Sequence, residues 1–220
     1  MTATSIHTTS VQIPAGNVLL QGDLTVPEHA HGIVLFAHGS GSSRLSPRNR
    51  YVAELLQHDG LATLLFDLLT EAEERVDAFD ASLRFNIPLL TARLVHATDW
   101  VKVQDEVSAL PIGYFGASTG AAAALQAAAK RPKVVHAVVS RGGRPDLAIH
   151  EAPHVQAATL LIVGERDREV LALNRQALEA MTCQKNLVIV PGATHLLEEP
   201  GTLDIAARFA RDWLSTHLME

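Results

Sequence analysis

The sequence predicts a doubly wound α/β domain: a mostly parallel sheet with helices on both faces. Three observations carry that prediction. Short apolar runs recur without polar alternation at Ile33–Ala37, Ala62–Phe66, Ile112–Phe115, Val134–Val139, Thr159–Val163 and Leu187–Val190, as expected of strands buried on both faces of a parallel sheet. Between them, Arg48–His58, Leu89–Val103, Thr119–Lys130, Glu169–Met181 and Leu203–Leu218 carry apolar residues at three- and four-residue spacing, the period of a helix with one buried face. Strand and helix alternate regularly, which calls for right-handed crossovers and puts ligands at the carboxyl ends of the strands.

Composition supports a folded chain. With 220 residues and 47% apolar content, residues 1–220 are expected to bury one core as a single domain. No apolar run reaches the roughly eighteen residues of a spanning helix, so no membrane partner is expected. Met1–Ser10 lacks the basic and apolar regions of a secretory signal. The single cysteine, Cys183, cannot close an internal disulfide and is read as a half-buried thiol. Both features point to the cytoplasm. Eighteen Lys and Arg against twenty-four Asp and Glu give a net charge of -6, the wrong sign for binding a phosphate backbone, so no nucleic acid partner is expected.

Taken in order, Val11–Val26 alternates loosely about Gly16-Asn17 and closes at Pro27, which reads as a hairpin or two edge strands. The strand Ile33–Ala37 then runs into His38-Gly39-Ser40-Gly41-Ser42-Ser43. A Gly/Ser loop there could cradle phosphate, but the lysine and spacing of a P-loop are missing. Its other use is to supply a backbone N–H to a tetrahedral oxyanion, with Ser40 as the donor and His38 shaping the loop. The segment Glu71–Phe85 is acidic and weakly periodic. It reads as a surface excursion that forms one wall of a site.

The strand Pro111–Phe115 leads into Gly116-Ala117-Ser118-Thr119-Gly120 and then an alanine-rich helix. In that strand-turn-helix context, G-x-S-x-G describes a nucleophile elbow that aims Ser118 outward at a helix N-terminus, with Thr119 as the second oxyanion donor. The competing reading is a tight turn in which Ser118 merely caps the helix. A serine nucleophile needs a base and a group that orients the base. His195 follows the last strand in Pro191-Gly192-Ala193-Thr194-His195, and Asp167 follows the preceding one in Gly164-Glu165-Arg166-Asp167. Asp146 and Glu165 are the alternative acids.

With these loops in place, the chain resembles the α/β-hydrolase superfamily and, within it, the dienelactone hydrolase-like group. HGSGSS, GASTG, GERDREV and PGATH stand in the order of that fold, and the likeness spans nearly the whole chain. The resemblance implies an eight-stranded, mostly parallel sheet in a three-layer sandwich. It implies Ser118 as nucleophile, His195 as base and Asp167 as acid, with no metal and no organic cofactor. One departure is that dienelactone hydrolases place cysteine in the elbow, where this chain has Ser118. No insertion is long enough for a large lid, which favours a small soluble ester or lactone as substrate. The same triad serves amidases, thioesterases and acyltransferases, and a non-catalytic binding protein could keep the fold. The oligomeric state is left open, a homo-oligomer included.

Arg44, Arg48 and Arg50 follow the first loop, and Arg141 and Arg144 follow the strand Val134–Val139. Arg44, Arg48, Arg141 and Arg144 are therefore candidate binding residues for an acidic substrate. The competing expectation is that they pair with Asp and Glu, including those of Glu71–Asp80, and hold the loops.

Overall fold

The structure, a computed structural model, describes residues 6–219. The reading of Met1–Ser10 as free of a signal therefore falls partly outside the described residues, since only Ile6–Ser10 is described. Fifteen elements follow one another: β1 (Ile6–Ala15), β2 (Val18–Pro27), β3 (Gly32–Ala37), α1 (Pro47–His58), β4 (Leu61–Phe66), α2 (Glu71–Asp80), α3 (Ile87–Val101), β5 (Ile112–Ala117), α4 (Thr119–Lys130), β6 (Val135–Arg141), a 3-10 segment (Pro145–His154), β7 (Ala158–Gly164), α5 (Arg168–Ala180), β8 (Lys185–Val190) and α6 (Thr202–Leu218).

The eight strands form one sheet in the order β1-β2-β4-β3-β5-β6-β7-β8. The hairpin about Gly16-Asn17 is as expected, with Ala15 opposite Val18. Of the two hairpin strands only β1 lies at an edge of the sheet, because β2 also pairs antiparallel with β4. All pairings from β4 to β8 are parallel. Every residue of β3, β4, β5 and β7 is buried, which is why those strands read as unbroken apolar runs. Packing of α3, α4 and α5 fills one side of the sheet, around Leu35, Leu64 and Tyr114. On the other side α1 and α6 cover Phe36, Phe115 and Val139. Among the described residues no helix is long and apolar enough to cross a membrane.

One segment differs from the sequence reading. The stretch Glu71–Phe85 contains a helix, α2, opened by a capping box: Thr70 Oγ1 accepts from the Glu73 amide and the Glu73 carboxylate accepts from the Thr70 amide. Satisfying two orphan donors reciprocally starts a helix that hydrophobic periodicity alone does not announce. After β6 the chain makes the 3-10 segment from Pro145, packed against α4 and α5.

Parallel pairing brings the ends of β3, β5, β6, β7 and β8 to one edge. Ala37 lies in register with Gly116, and Ala117 with Arg141. Beneath them the Phe36 and Phe115 rings pack with centroids 5.0 Å apart. Each ring is almost fully buried, worth roughly 1.5–3 kcal/mol of transfer free energy, so the loops above stand on a dense floor.

Candidate active site

Ser118 sits between β5 and α4 with φ 50° and ψ -120°. A left-handed φ is costly for a side chain with a Cβ and persists only where neighbours enforce it. Here the Ser118 amide donates to the Arg141 carbonyl (3.2 Å), and the Ser118 carbonyl accepts from the amides of Ala121 and Arg144 (both 3.1 Å). Glycine is required next to this turn: a Cβ on Gly120 would stand 2.1 Å from the Ala37 carbonyl oxygen. Although Ser118 occupies the N-cap position, its hydroxyl makes no capping hydrogen bond. Ordinary capping therefore does not explain this serine.

The loop after β3 presses on the elbow, and a Cβ on Gly39 would meet Ser118 Cβ at 3.1 Å. The Ser40 and Thr119 hydroxyls are hydrogen bonded at 3.0 Å, which ties together the two residues expected to supply oxyanion donors. His38 fixes the loop from below. The Leu68 amide donates to its Nε2 (3.0 Å), so Nδ1 carries the proton and donates to the Gly39 carbonyl (3.0 Å). Burial lowers the His38 pKa, overcoming the opposing pull of the Gly39 carbonyl and of Asp67. The ring is held neutral in one tautomer.

On the far side of the elbow, His195 Nδ1 lies 2.6 Å from Asp167 Oδ2. A carboxylate acceptor places the proton on Nδ1 and leaves Nε2 as the basic nitrogen. Asp167 heads α5 but makes no side-chain cap, so its carboxylate serves the imidazole. The alternative acids are engaged elsewhere: Asp146 accepts two bonds from Arg144 (2.8 and 2.7 Å), and Glu165 accepts from the Gly192 amide (2.8 Å).

Ser118 and His195 line one cavity of about 210 Å³, together with Ser40, Arg48, Asn49 and Arg141. A larger cavity of about 720 Å³ adjoins it through Gly39, Ser40, Ser42, Ser46, Arg48 and Leu196, and α2 contributes Glu74, Asp77 and Ala78 to its wall. The acidic segment thus shapes a wall of the cleft, as its sequence suggested. Glu74 has a raised pKa, first because burial penalises its charge and then because Asp67 and Glu71 stand near it.

The arginines divide. Arg44 is paired with Asp67 (2.6 Å) and also faces Asp23 (3.5 Å). Arg144 is held by Asp146, and neither arginine lines either cavity. Of the four candidate binding residues, Arg48 and Arg141 reach a cavity wall, while Arg44 and Arg144 are held by these carboxylates. Their partners are not those of Glu71–Asp80, which hold Arg75, Arg84 and Arg93 instead. Arg48 meets the exposed Glu198 at 3.0 Å. Arg141 has no carboxylate partner among the described residues.

Comparison with known proteins agrees with this architecture. The model of the "Dienelactone hydrolase family" matches residues 21–214. The crystal structure of a dienelactone hydrolase from Anabaena variabilis is 57% identical, covers 97% of this chain and 99% of its own, and superposes with a TM-score of 0.95. Est1E from Butyrivibrio proteoclasticus, 15% identical over 96% of this chain and 99% of its own, shares the fold with a TM-score of 0.80. A Mycobacterium tuberculosis protein, provisionally named a phosphoribosyl transferase, is 57% identical over 208 residues, 94% of this chain. The chain spans about half the length of that curated relative (46%), and the name describes the relative as a whole. The match to the family model over most of the chain, on an eight-stranded sheet of this order, means that the chain belongs to the dienelactone hydrolase family.

Proposed function

We propose that this chain is a serine hydrolase that cleaves a small carboxylic ester or lactone through an acyl-enzyme on Ser118. The observation that carries the reading is the 2.6 Å contact of His195 Nδ1 with Asp167 Oδ2, made in the loops that border the same cavity as the strained, uncapped Ser118. Ser118 Oγ attacks the carbonyl carbon while its proton passes to His195 Nε2, and Asp167 stabilises the imidazolium that forms. The oxyanion is met by the Ser40 and Thr119 amides, each such donor being worth about 10²–10³ in rate. His195 returns the proton to the departing alkoxide as the C–O bond breaks. Water then gives a proton to His195 as its oxygen attacks the acyl carbon, and His195 returns that proton to Ser118 Oγ as the acyl–Oγ bond breaks, which releases the acid and restores free Ser118.

In this reading the partner is a small soluble substrate and the compartment is the cytoplasm. Neither nucleic acid nor membrane takes part, and no cofactor is required. Amides and thioesters pass through the same intermediate and serve as comparison substrates. Mass spectrometry after treatment with a fluorophosphonate tests the proposal. One adduct on Ser118, absent from Ser118→Ala, is the expected result. Folded protein that takes up no adduct would leave a binding protein that has kept the fold.

A further inference from the structure

Arg141 closes β6 beside the elbow, and its carbonyl accepts the Ser118 amide. The residue is only 6% exposed. Among the described residues its side chain makes one hydrogen bond, a long 3.4 Å contact from Nη2 to Asn49 Oδ1, and its buried Nε has no partner in the protein. Other arginines of this fold show what is missing: Arg44, Arg93 and Arg144 reach carboxylates at 2.6–2.7 Å. Burial, followed by repulsion from Arg48, pulls the Arg141 pKa down to about 10, so the group is still a cation at neutral pH. Burying a cation without a counter-charge is costly unless the site is built to receive one.

Arg48 repeats the pattern in milder form. Its Nε is buried without a partner, while Nη1 reaches a Glu198 side chain that is 62% exposed. Such a surface pair contributes little and yields readily to a competing anion. Both arginines line the cavity of about 210 Å³ that holds Ser118 and His195, and Ser42 and Ser46 line it too. The twelve-residue helix α1 begins there, with Ser46 as its N-cap, and contributes the positive end of its dipole.

Two guanidinium groups lining one cavity, flanked by hydroxyls and a helix N-terminus, offer donors from several directions. A tetrahedral dianion satisfies both cations at once, whereas a carboxylate would neutralise one and leave the other. The cavity equals about seven liquid-water volumes, enough for such a group on a short linker. We propose that Arg48 and Arg141 hold a phosphate monoester group of the substrate, so that the ester or lactone attacked by Ser118 is a phosphorylated one. The phosphate is a handle and stays intact, since the bond broken is the carboxylic ester. The inference rests on the serine hydrolase reading for the reaction, but not for the binding.

Two measurements test it. In the first, full-length Ser118→Ala protein is melted with inorganic phosphate and with potassium chloride at matched ionic strength. Phosphate at ten times its Kd should raise Tm by about 3–6 °C beyond the chloride control, and adding Arg141→Gln should remove the increment. In the second, kcat/KM is compared among the 4-nitrophenyl esters of 3-phosphooxypropionate, succinate and butyrate. The phosphorylated ester should lead, and its advantage over butyrate should fall about tenfold to a hundredfold in Arg141→Gln, the range expected for lost charge-assisted hydrogen bonds. Should Arg141→Gln fail to fold, Arg48→Gln, at a more exposed position, should reduce the same ratio. The proposal is overturned if phosphate acts no differently from chloride, if the succinate ester is preferred, or if the ratio survives in the folded variants. A phosphate-specific Tm shift without fluorophosphonate labelling of Ser118 would instead sink the hydrolase reading and leave the anion site standing.

Discussion

Gly142 packs against His195: with φ at 53°, a Cβ added to it would lie 3.2 Å from the His195 carbonyl oxygen and 3.5 Å from the ring atoms Cε1 and Nδ1. The loop after β6 thus backs the imidazole while Asp167 holds it from the side. Gly142→Ala would force a left-handed φ on alanine, at a cost of about 1–2 kcal/mol, and would crowd the His195 backbone. The expected outcome is a lower Tm and a fall in kcat larger than any rise in KM, measured on a 4-nitrophenyl ester. Unchanged kcat would show that His195 does not depend on this contact.

The acid assignment predicts an asymmetry between two aspartates. Asp167→Asn removes the acceptor that sets the His195 tautomer and should lower kcat by about 10³-fold or more. Asp146→Asn breaks the two bonds to Arg144 and should cost less than about tenfold, as expected of a change outside the reacting groups. Steady-state kinetics of both proteins decide the matter, and a larger loss for Asp146→Asn would reverse the roles.

Much of this arrangement is legible in the sequence because it depends on chain order. The parallel strands show themselves since both faces of β3, β4, β5 and β7 are buried, and strand order then forces the loops bearing Ser118, Asp167 and His195 to one edge. Helix α2 escapes a search by hydrophobic period because only Asp77 of its ten residues is buried. Its signal was the Thr70-x-x-Glu73 box. Sequence reasoning brings the arginines to this edge but does not divide them. Arg44 and Arg141 look alike in the chain, and only the fold brings Asp67 to one and leaves the other beside Arg48. Gly142 carried no visible mark either, since its demand arises from His195, distant in sequence.

His38 should prove a positioning residue. His38→Ala would leave the Leu68 amide and the Gly39 carbonyl without their imidazole partner, at about 1–3 kcal/mol for each buried group left unpaired. We expect a drop in Tm together with a loss of kcat that exceeds any change in KM, because the loop carrying Ser40 would no longer be held against the elbow. Chemical denaturation and ester kinetics on the same preparation separate the two effects. Full turnover in a destabilised His38→Ala protein would confine the residue to folding.

The last prediction concerns pH and the wall formed by α2. Desolvation is the largest single influence on Asp77 and pushes its pKa up, yet the amides of Arg84 and Leu83 and the Arg84 guanidinium together hold it below the ordinary aspartate value. A carboxyl with a folded pKa below its unfolded value of about 3.9 contributes stability that is complete above that value and is lost as pH falls through the folded one. Asp77 also reaches the chemistry indirectly, since the Arg84 carbonyl accepts from the Ser40 hydroxyl at 3.4 Å. Amide exchange followed from pH 6 downward should therefore show Leu83 and Arg84 losing protection below about pH 4, after correction for intrinsic rates. Asp77→Asn should show the same loosening already at neutral pH, with a several-fold fall in kcat transmitted through Ser40. Protection that stays constant down to pH 2.5, and is unaltered by Asp77→Asn, would mean that the wall is held by its apolar contacts rather than by this carboxylate.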